Sequence, residues 1–262
     1  MAVGRFFVYN QQIEEIAKRA RAARSNEELA SVCRQLNIAD SIFLGKVDLW
    51  LAKNALSALY RTLRKYPALR GSMHYFGTLN GFINNKISIF TKVNGIRDPD
   101  IEETMRDATD EMALDCLTSF KNNCLAVAIY VGTSQYSLSG IIINGKSMNQ
   151  QDILNQIEFG ERLGHSPRGC NTIKSVIEHE IGHVLDQMLG INSCYEFQQI
   201  LSQCSVSYLR KNLSKYCVMN NTIDAREVIA EAYSEYCNNP HPRELARAIG
   251  ALIDKKYKEK YG

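Results

Sequence analysis

The segment Thr172–Leu189 reads TIKSVIEHEIGHVLDQML. It contains His179-Glu180-Ile181-Gly182-His183, a match to the metal-binding pattern H-E-x-x-H. Because residues four apart project from the same face of a helix, two imidazoles at this spacing can bind one metal ion. Glu180 points to the side of that face, where it can reach a metal-bound water without being a ligand. Apolar residues fill the opposite side, so we predict a packed helix over 172–189 with a zinc site on one face.

A tetrahedral zinc site needs a further protein ligand, and two carboxylates downstream are candidates. A metzincin would carry glycine at 186 and histidine at 189, but this chain has Asp186 and Leu189. The segment 225–235 reads AREVIAEAYSE, which places Glu227 and Glu231 on one helix face. The spacing permits either as the ligand. A solvated acidic stripe is the alternative, but the apolar neighbours indicate a buried helix, in which carboxylates need a partner.

These two segments together resemble the zincin-like family that includes the anthrax toxin lethal factor catalytic domain, Pro-Pro endopeptidases and domains of bacteriophage minor head proteins. The phage-type version is the most similar. That similarity includes the sequences GCNTIKS at 169–175 and SEYCNNPHPRELAR at 234–247. It covers about residues 120–258, and the first 66 residues show no specific resemblance.

The resemblance implies that Glu227 binds the zinc and that Glu231 supports a ligand from behind. It also implies a tyrosine that stabilises the oxyanion, seven residues before the ligand glutamate. That position is Asn220 here, so Tyr216 is the implied equivalent, followed by four extra residues. Asp186 either orients an imidazole or is a solvated helix charge.

The implied function is a zinc-dependent endopeptidase, in which Glu180 is the general base toward a metal-activated water. The alternative is a zinc-binding structural or assembly protein of the phage type with little catalysis. The intact Glu180 favours the enzyme, whereas the displaced tyrosine favours the alternative. Implied partners are a peptide or protein substrate and phage or prophage structural proteins.

The pattern along the chain predicts an α+β fold with a helical N-terminal region, 1–66, and the resemblance implies a zincin-like domain over 67–262. We expect a small mixed sheet, the active-site helix and further helices after it. The resemblance implies that the strand before the active-site helix, residues 137–143, lies at the edge of the cleft, where substrate adds as a further strand. Predicted strands cover 69–79, 86–93, 125–131 and 136–144, and predicted helices cover 10–24, the segment from 25, 46–65, 98–120, 149–163, 172–189, 195–209, 224–238 and 242–257.

Composition excludes several other classes of protein. The 262 residues carry a net charge of only +3, and nothing in this balance indicates a nucleic-acid partner, which would call for a concentrated basic face. Apolar runs fall far short of the ~20 residues that span a bilayer, so neither nucleic acid nor membrane is an expected partner. The first residues lack the features of a signal peptide, which predicts a cytoplasmic or virion-associated protein with reduced cysteines.

Residues 140–147 read GIIINGKS and match the phosphate-binding loop pattern G-x-x-x-x-G-K-[ST]. That chemistry needs a flexible loop whose amides surround phosphate groups. Three consecutive isoleucines favour an extended strand instead, so we predict no nucleotide site here.

Overall fold

The computed structural model describes residues 14–95, 98–121, 124–132, 137–145 and 150–262. The chain divides into two units, Met1–Ser147 and Met148–Gly262. The fold is α+β with a small mixed sheet, as predicted. No helix among the described residues combines the length and the apolar character needed to cross a membrane.

The first unit contains a four-stranded sheet and the helices that precede and connect its strands. Its helices are α1 (residues 14–22), α2 (Asn26–Gln35), α3 (Leu49–Lys65), α4 (Leu79–Asn94) and α5 (Pro99–Lys121), with a 3₁₀ turn at Pro67–Gly71. Its strands are β1 (Ser41–Phe43), β2 (Tyr75–Thr78), β3 (Ala126–Gly132) and β4 (Ser137–Ile143). Parts of some predicted elements, at 10–13, 136 and 149, lie outside the described residues, as do Lys146 and Ser147.

The sheet has the order β1-β2-β4-β3, with β3 antiparallel to β4 and the other pairs parallel. β1 belongs to the predicted N-terminal region, yet Ser41 pairs with Tyr75 and Phe43 with Gly77. The segment before residue 67 therefore shares a sheet with the segment after it, and the division of the chain into units falls after Ser147.

The expectation that residues 137–143 form an edge strand is wrong. β4 lies between two strands, with Gly140 opposite Tyr75 of β2 and Ile129 of β3. Its backbone is therefore already paired on both sides, and no substrate strand can add to it. The isoleucines at 141–143 are buried in this strand, which confirms the extended conformation predicted for that part of the phosphate-loop match.

The predicted strand over 86–93 is a helix, because tertiary packing outweighs its β-branched residues. Phe82, Ile89 and Phe90 follow helical spacing, and all three are buried against the sheet. The Thr78 hydroxyl accepts from the backbone N–H of Gly81 and begins α4, while Gly95, with φ of 64°, ends it.

The second unit is helical, apart from a two-stranded hairpin. Its helices are α6 (Gln150–Arg162), α7 (Ile173–Leu189), α8 (Tyr195–Ser202), α9 (Val206–Asn212), α10 (Ala225–Asn238) and α11 (Glu244–Tyr261). The hairpin consists of β5 (Val218–Met219) and β6 (Thr222–Ile223). The single helix predicted over 195–209 is two helices, because Ser205 lies between them and its hydroxyl accepts from the Tyr208 N–H.

α7 and α10 cross in direct backbone contact at Gly182. A Cβ at this position would lie 2.7 Å from the Ala230 Cα and 3.3 Å from the Ala230 carbonyl oxygen. The first of these distances is shorter than a Cβ contact tolerates, so glycine at this position lets the two backbones approach so closely. The crossing places the acidic face of α10 against the histidine face of α7.

We predict that Gly182→Ala lowers the free energy of unfolding by about 1–3 kcal/mol, because the added methyl group must separate α7 from α10. Chemical denaturation of the full chain measures this change. Gly160→Ala on α6 is the control, since its Cβ would approach only the Ser166 hydroxyl, at 3.4 Å. Equal stability of the Gly182→Ala variant and the unmodified chain would contradict the tight crossing.

Candidate metal centre

Local capping fixes the ends of the helix that carries the motif. The Thr172 hydroxyl accepts from the Ser175 N–H at 3.1 Å, and the Ser175 hydroxyl accepts from the Thr172 N–H at 3.0 Å. This capping box begins α7, and Gly190, with φ of 67°, ends it. His179 and His183 therefore share one face, with their Nε2 atoms 3.2 Å apart.

α10 brings a carboxylate to these nitrogens. The Asp224 side chain accepts from the N–H groups of Arg226 and Glu227, which begins the helix. Oε2 of Glu227 lies 3.2 Å from His179 Nε2, and its Oε1 lies 3.6 Å from His183 Nε2. The carboxylate of Glu227 therefore faces both imidazoles.

The donor set fits a tetrahedral metal ion. Nitrogen and oxygen ligands at 2.0–2.1 Å from zinc are separated by about 3.3 Å, close to the separations of these atoms. Among the described residues, Glu227 Oε2 is one of the few buried side-chain atoms that form no hydrogen bond of normal geometry. A buried carboxylate oxygen without a hydrogen bond is costly unless a cation binds it.

Glu180 completes this cluster. Ligand atoms of His179, Glu180 and His183 all lie within 4.8 Å of one another, and no second group of this kind is found in the described ranges. The Glu180 side chain is largely buried.

Glu231 contacts the opposite nitrogen of the first histidine. Its Oε1 lies 3.4 Å from His179 Nδ1, while the Nε2 atom of the same ring faces Glu227. A carboxylate at Nδ1 fixes the ring orientation and keeps the proton on the nitrogen that does not bind metal. The spacing left both carboxylates open as ligands. In the structure, Glu227 faces the Nε2 atoms of both histidines, as a ligand would, and Glu231 faces His179 from the Nδ1 side.

The cluster is electrostatically asymmetric. Burial acts to lower the pKa of His179, but the carboxylates of Glu227 and Glu231 outweigh it and raise this pKa well above its usual value. Burial and the charge on His179 lower the pKa of His183 to about 4. Burial also raises the pKa of Glu231. Two carboxylates that face two imidazoles in a buried setting form a site that favours positive charge.

Tyr216 lies beside the histidines despite its displacement along the sequence. Its ring centroid is 5.9 Å from that of His179, at an angle of 69° between the rings. The side chain is half-exposed. The hairpin β5–β6 contains the extra residues between Tyr216 and α10, so the insertion does not carry the tyrosine away from the histidines.

Asp186 occupies a different environment from either predicted one. It is buried, and its Oδ1 accepts from the Asn192 N–H at 2.6 Å. Burial raises the pKa of this carboxyl group. Asp186 therefore stabilises the turn that follows α7.

Sequence reasoning missed the contacts that hold α10 in place. The buried Glu235 carboxylate accepts two hydrogen bonds from Arg243 Nε, each 3.0 Å, and one from Nη2 at 2.6 Å. The Ser234 hydroxyl donates to the Ser175 carbonyl at 2.8 Å, one turn before His179. The only sequence signal for Glu235 is an acidic residue in an apolar helix, which indicates that a partner exists without identifying it.

No protein-family model matches this chain, and no match to a characterised protein or to a solved structure is found. These comparisons assign the chain to no family, so any inference about its function starts from the residues and their geometry.

We predict that Arg243→Ala lowers the free energy of unfolding by about 3–5 kcal/mol, because Glu235 would remain as a buried charge without its partner. Lys256→Ala removes a contact with Glu196 near the surface and is the control, with a much smaller expected loss. Urea denaturation of both variants provides the comparison. If the two losses are equal, the Glu235–Arg243 pair does not hold the helix.

Proposed function

We propose that this chain is a zincin-like, zinc-dependent endopeptidase. The observation that carries the proposal is the convergence of His179 Nε2, His183 Nε2 and the Glu227 carboxylate within 3.2–3.6 Å, with Glu180 beside them. A purely structural zinc site does not need a carboxylate such as Glu180 next to its ligands. The proposed substrate is a peptide or protein, and the proposed location is cytoplasmic or virion-associated.

Each residue has a separate task in the proposed reaction. His179, His183 and Glu227 would hold zinc, which when bound lowers the pKa of water and polarises a carbonyl group. Glu180 accepts the proton of the attacking water and returns it to the leaving amine. Tyr216 donates a hydrogen bond from its phenol to the oxyanion that forms on the substrate. Glu231 keeps the His179 ring in its binding orientation.

The proposed ligand assignment predicts an order of zinc affinities. Glu231→Gln should weaken zinc binding about 10- to 100-fold, because it removes only the support at Nδ1. Glu227→Ala should weaken it further, because it removes a ligand. Competitive zinc titration of the full chain measures both, and Glu158→Gln, at an exposed site on α6, should leave the affinity unchanged. A larger loss in Glu231→Gln than in Glu227→Ala would reverse the assignment.

The proposed general base predicts a separation of binding from turnover. Glu180→Gln preserves the size of the side chain but cannot accept a proton, so it should retain zinc and lose about 10²- to 10⁴-fold in cleavage rate. Zinc analysis combined with cleavage profiling of a peptide library tests this, again with Glu158→Gln as control.

Full activity of Glu180→Gln would contradict the proposed mechanism. Zinc binding without cleavage of any peptide by the unmodified chain would favour the structural or assembly role of the phage type.

A further inference from the structure

Tyr216 lies eleven residues before Glu227, and the chain between them forms a hairpin. Val218 pairs with Ile223 and Met219 with Thr222. At the base of the hairpin, the Asp224 N–H donates to the Cys217 carbonyl at 2.9 Å. The chain therefore leaves the site after Tyr216 and returns at the cap of α10, so the hairpin sets how far Tyr216 stands from the ligand helix.

The backbone on either side of Tyr216 is anchored. The Lys215 N–H donates to the Gly164 carbonyl at 2.7 Å, and the Val218 N–H donates to the Lys215 carbonyl at 3.1 Å. The first bond fixes the segment before the tyrosine, and the second closes a turn across Tyr216 that ends at the first residue of β5.

Closure of the hairpin depends on two asparagines in the left-handed conformation. Asn220 has φ of 51° and Asn221 has φ of 59°, as a two-residue turn between twisted strands requires. The Asn221 side chain also accepts from Arg210 Nη2 at 3.0 Å, which joins the turn to α9. Asn220 is exposed, so its backbone conformation is its main contribution to the turn.

We propose that the Asn220–Asn221 turn is a positioning element that holds the Tyr216 phenol beside the histidines. The catalytic consequence of this inference rests on the proposed function. The placement of the Tyr216 ring does not depend on that function and can be measured by itself. The turn lies in the longer segment that connects Tyr216 to α10 in this chain. In this proposal Asn220 acts on the reaction through Tyr216 alone.

The test compares two substitutions at one position in the full chain. Asn220→Val puts a β-branched residue where φ is positive, which is strongly disfavoured, whereas Asn220→Gly adopts this conformation freely. Asn37→Val is the matched control, because Asn37 is exposed with φ of 49° in the first unit. Asn220→Ala introduces a milder strain and serves if Asn220→Val fails to fold.

The primary readout is the ¹⁹F NMR spectrum of protein labelled with 3-fluorotyrosine, in which Tyr216→Phe identifies the Tyr216 signal. Asn220→Val should move that signal toward the position of a solvent-exposed tyrosine. Asn220→Gly and Asn37→Val should leave it in place. An unmoved Tyr216 signal in a folded Asn220→Val or Asn220→Ala variant would overturn the proposal.

Kinetics give the second readout and separate the two proposals. Tyr216→Phe should lower kcat about 10²- to 10³-fold. Asn220→Val should also lower kcat, with KM and zinc affinity unchanged. Asn220→Gly should keep the kcat of the unmodified chain. A loss in Tyr216→Phe without any loss in Asn220→Val would overturn the positioning role. If the ¹⁹F signal moves as expected while even the unmodified chain cleaves nothing, the proposed function fails and the positioning of the ring stands.

Discussion

The backbone contact between Gly182 and Ala230 is the constraint on which the rest of the site depends. It lets α7 and α10 approach until no side chain separates them. Only at this distance do carboxylates at 227 and 231 reach the two edges of the His179 ring. The geometry of the proposed metal centre is thus a consequence of helix packing, and the motif alone would not produce it.

Close packing also buries acidic side chains, and each has a specific compensation. Glu235 is paired with Arg243, and Glu178 accepts from the Asn238 amide at 2.6 Å. Glu231 lies against His179. Glu227 lies against both histidines, but its buried Oε2 is the one carboxylate oxygen among the buried side-chain atoms that form no hydrogen bond of normal geometry in the described residues. This difference singles out Glu227 as the carboxylate that a bound cation would stabilise.

The sequence predicted the features that local chemistry determines. The helix around His179 follows from hydrophobic periodicity, which acts over a few residues. The strand predicted over 86–93 is wrong, because alternating β-branched residues in this part of α4 mimic a strand until the packing against the sheet is known. Spacing could not separate Glu227 from Glu231, because both share a helix face and only the crossing with α7 distinguishes them. The hairpin had a readable signal in Asn220-Asn221, a pair suited to a two-residue turn.

X-ray absorption spectroscopy at the zinc edge of the zinc-loaded full chain tests the central claim most directly. With His179, His183 and Glu227 as ligands, the spectrum should show only nitrogen and oxygen neighbours at about 2.0–2.1 Å, together with the scattering pattern of imidazole rings. The eight cysteines of the chain all lie within the described ranges, where none is in a disulfide, and their thiols provide an alternative set of ligands. Sulfur neighbours at about 2.3 Å, or the absence of imidazole scattering, would contradict this metal centre.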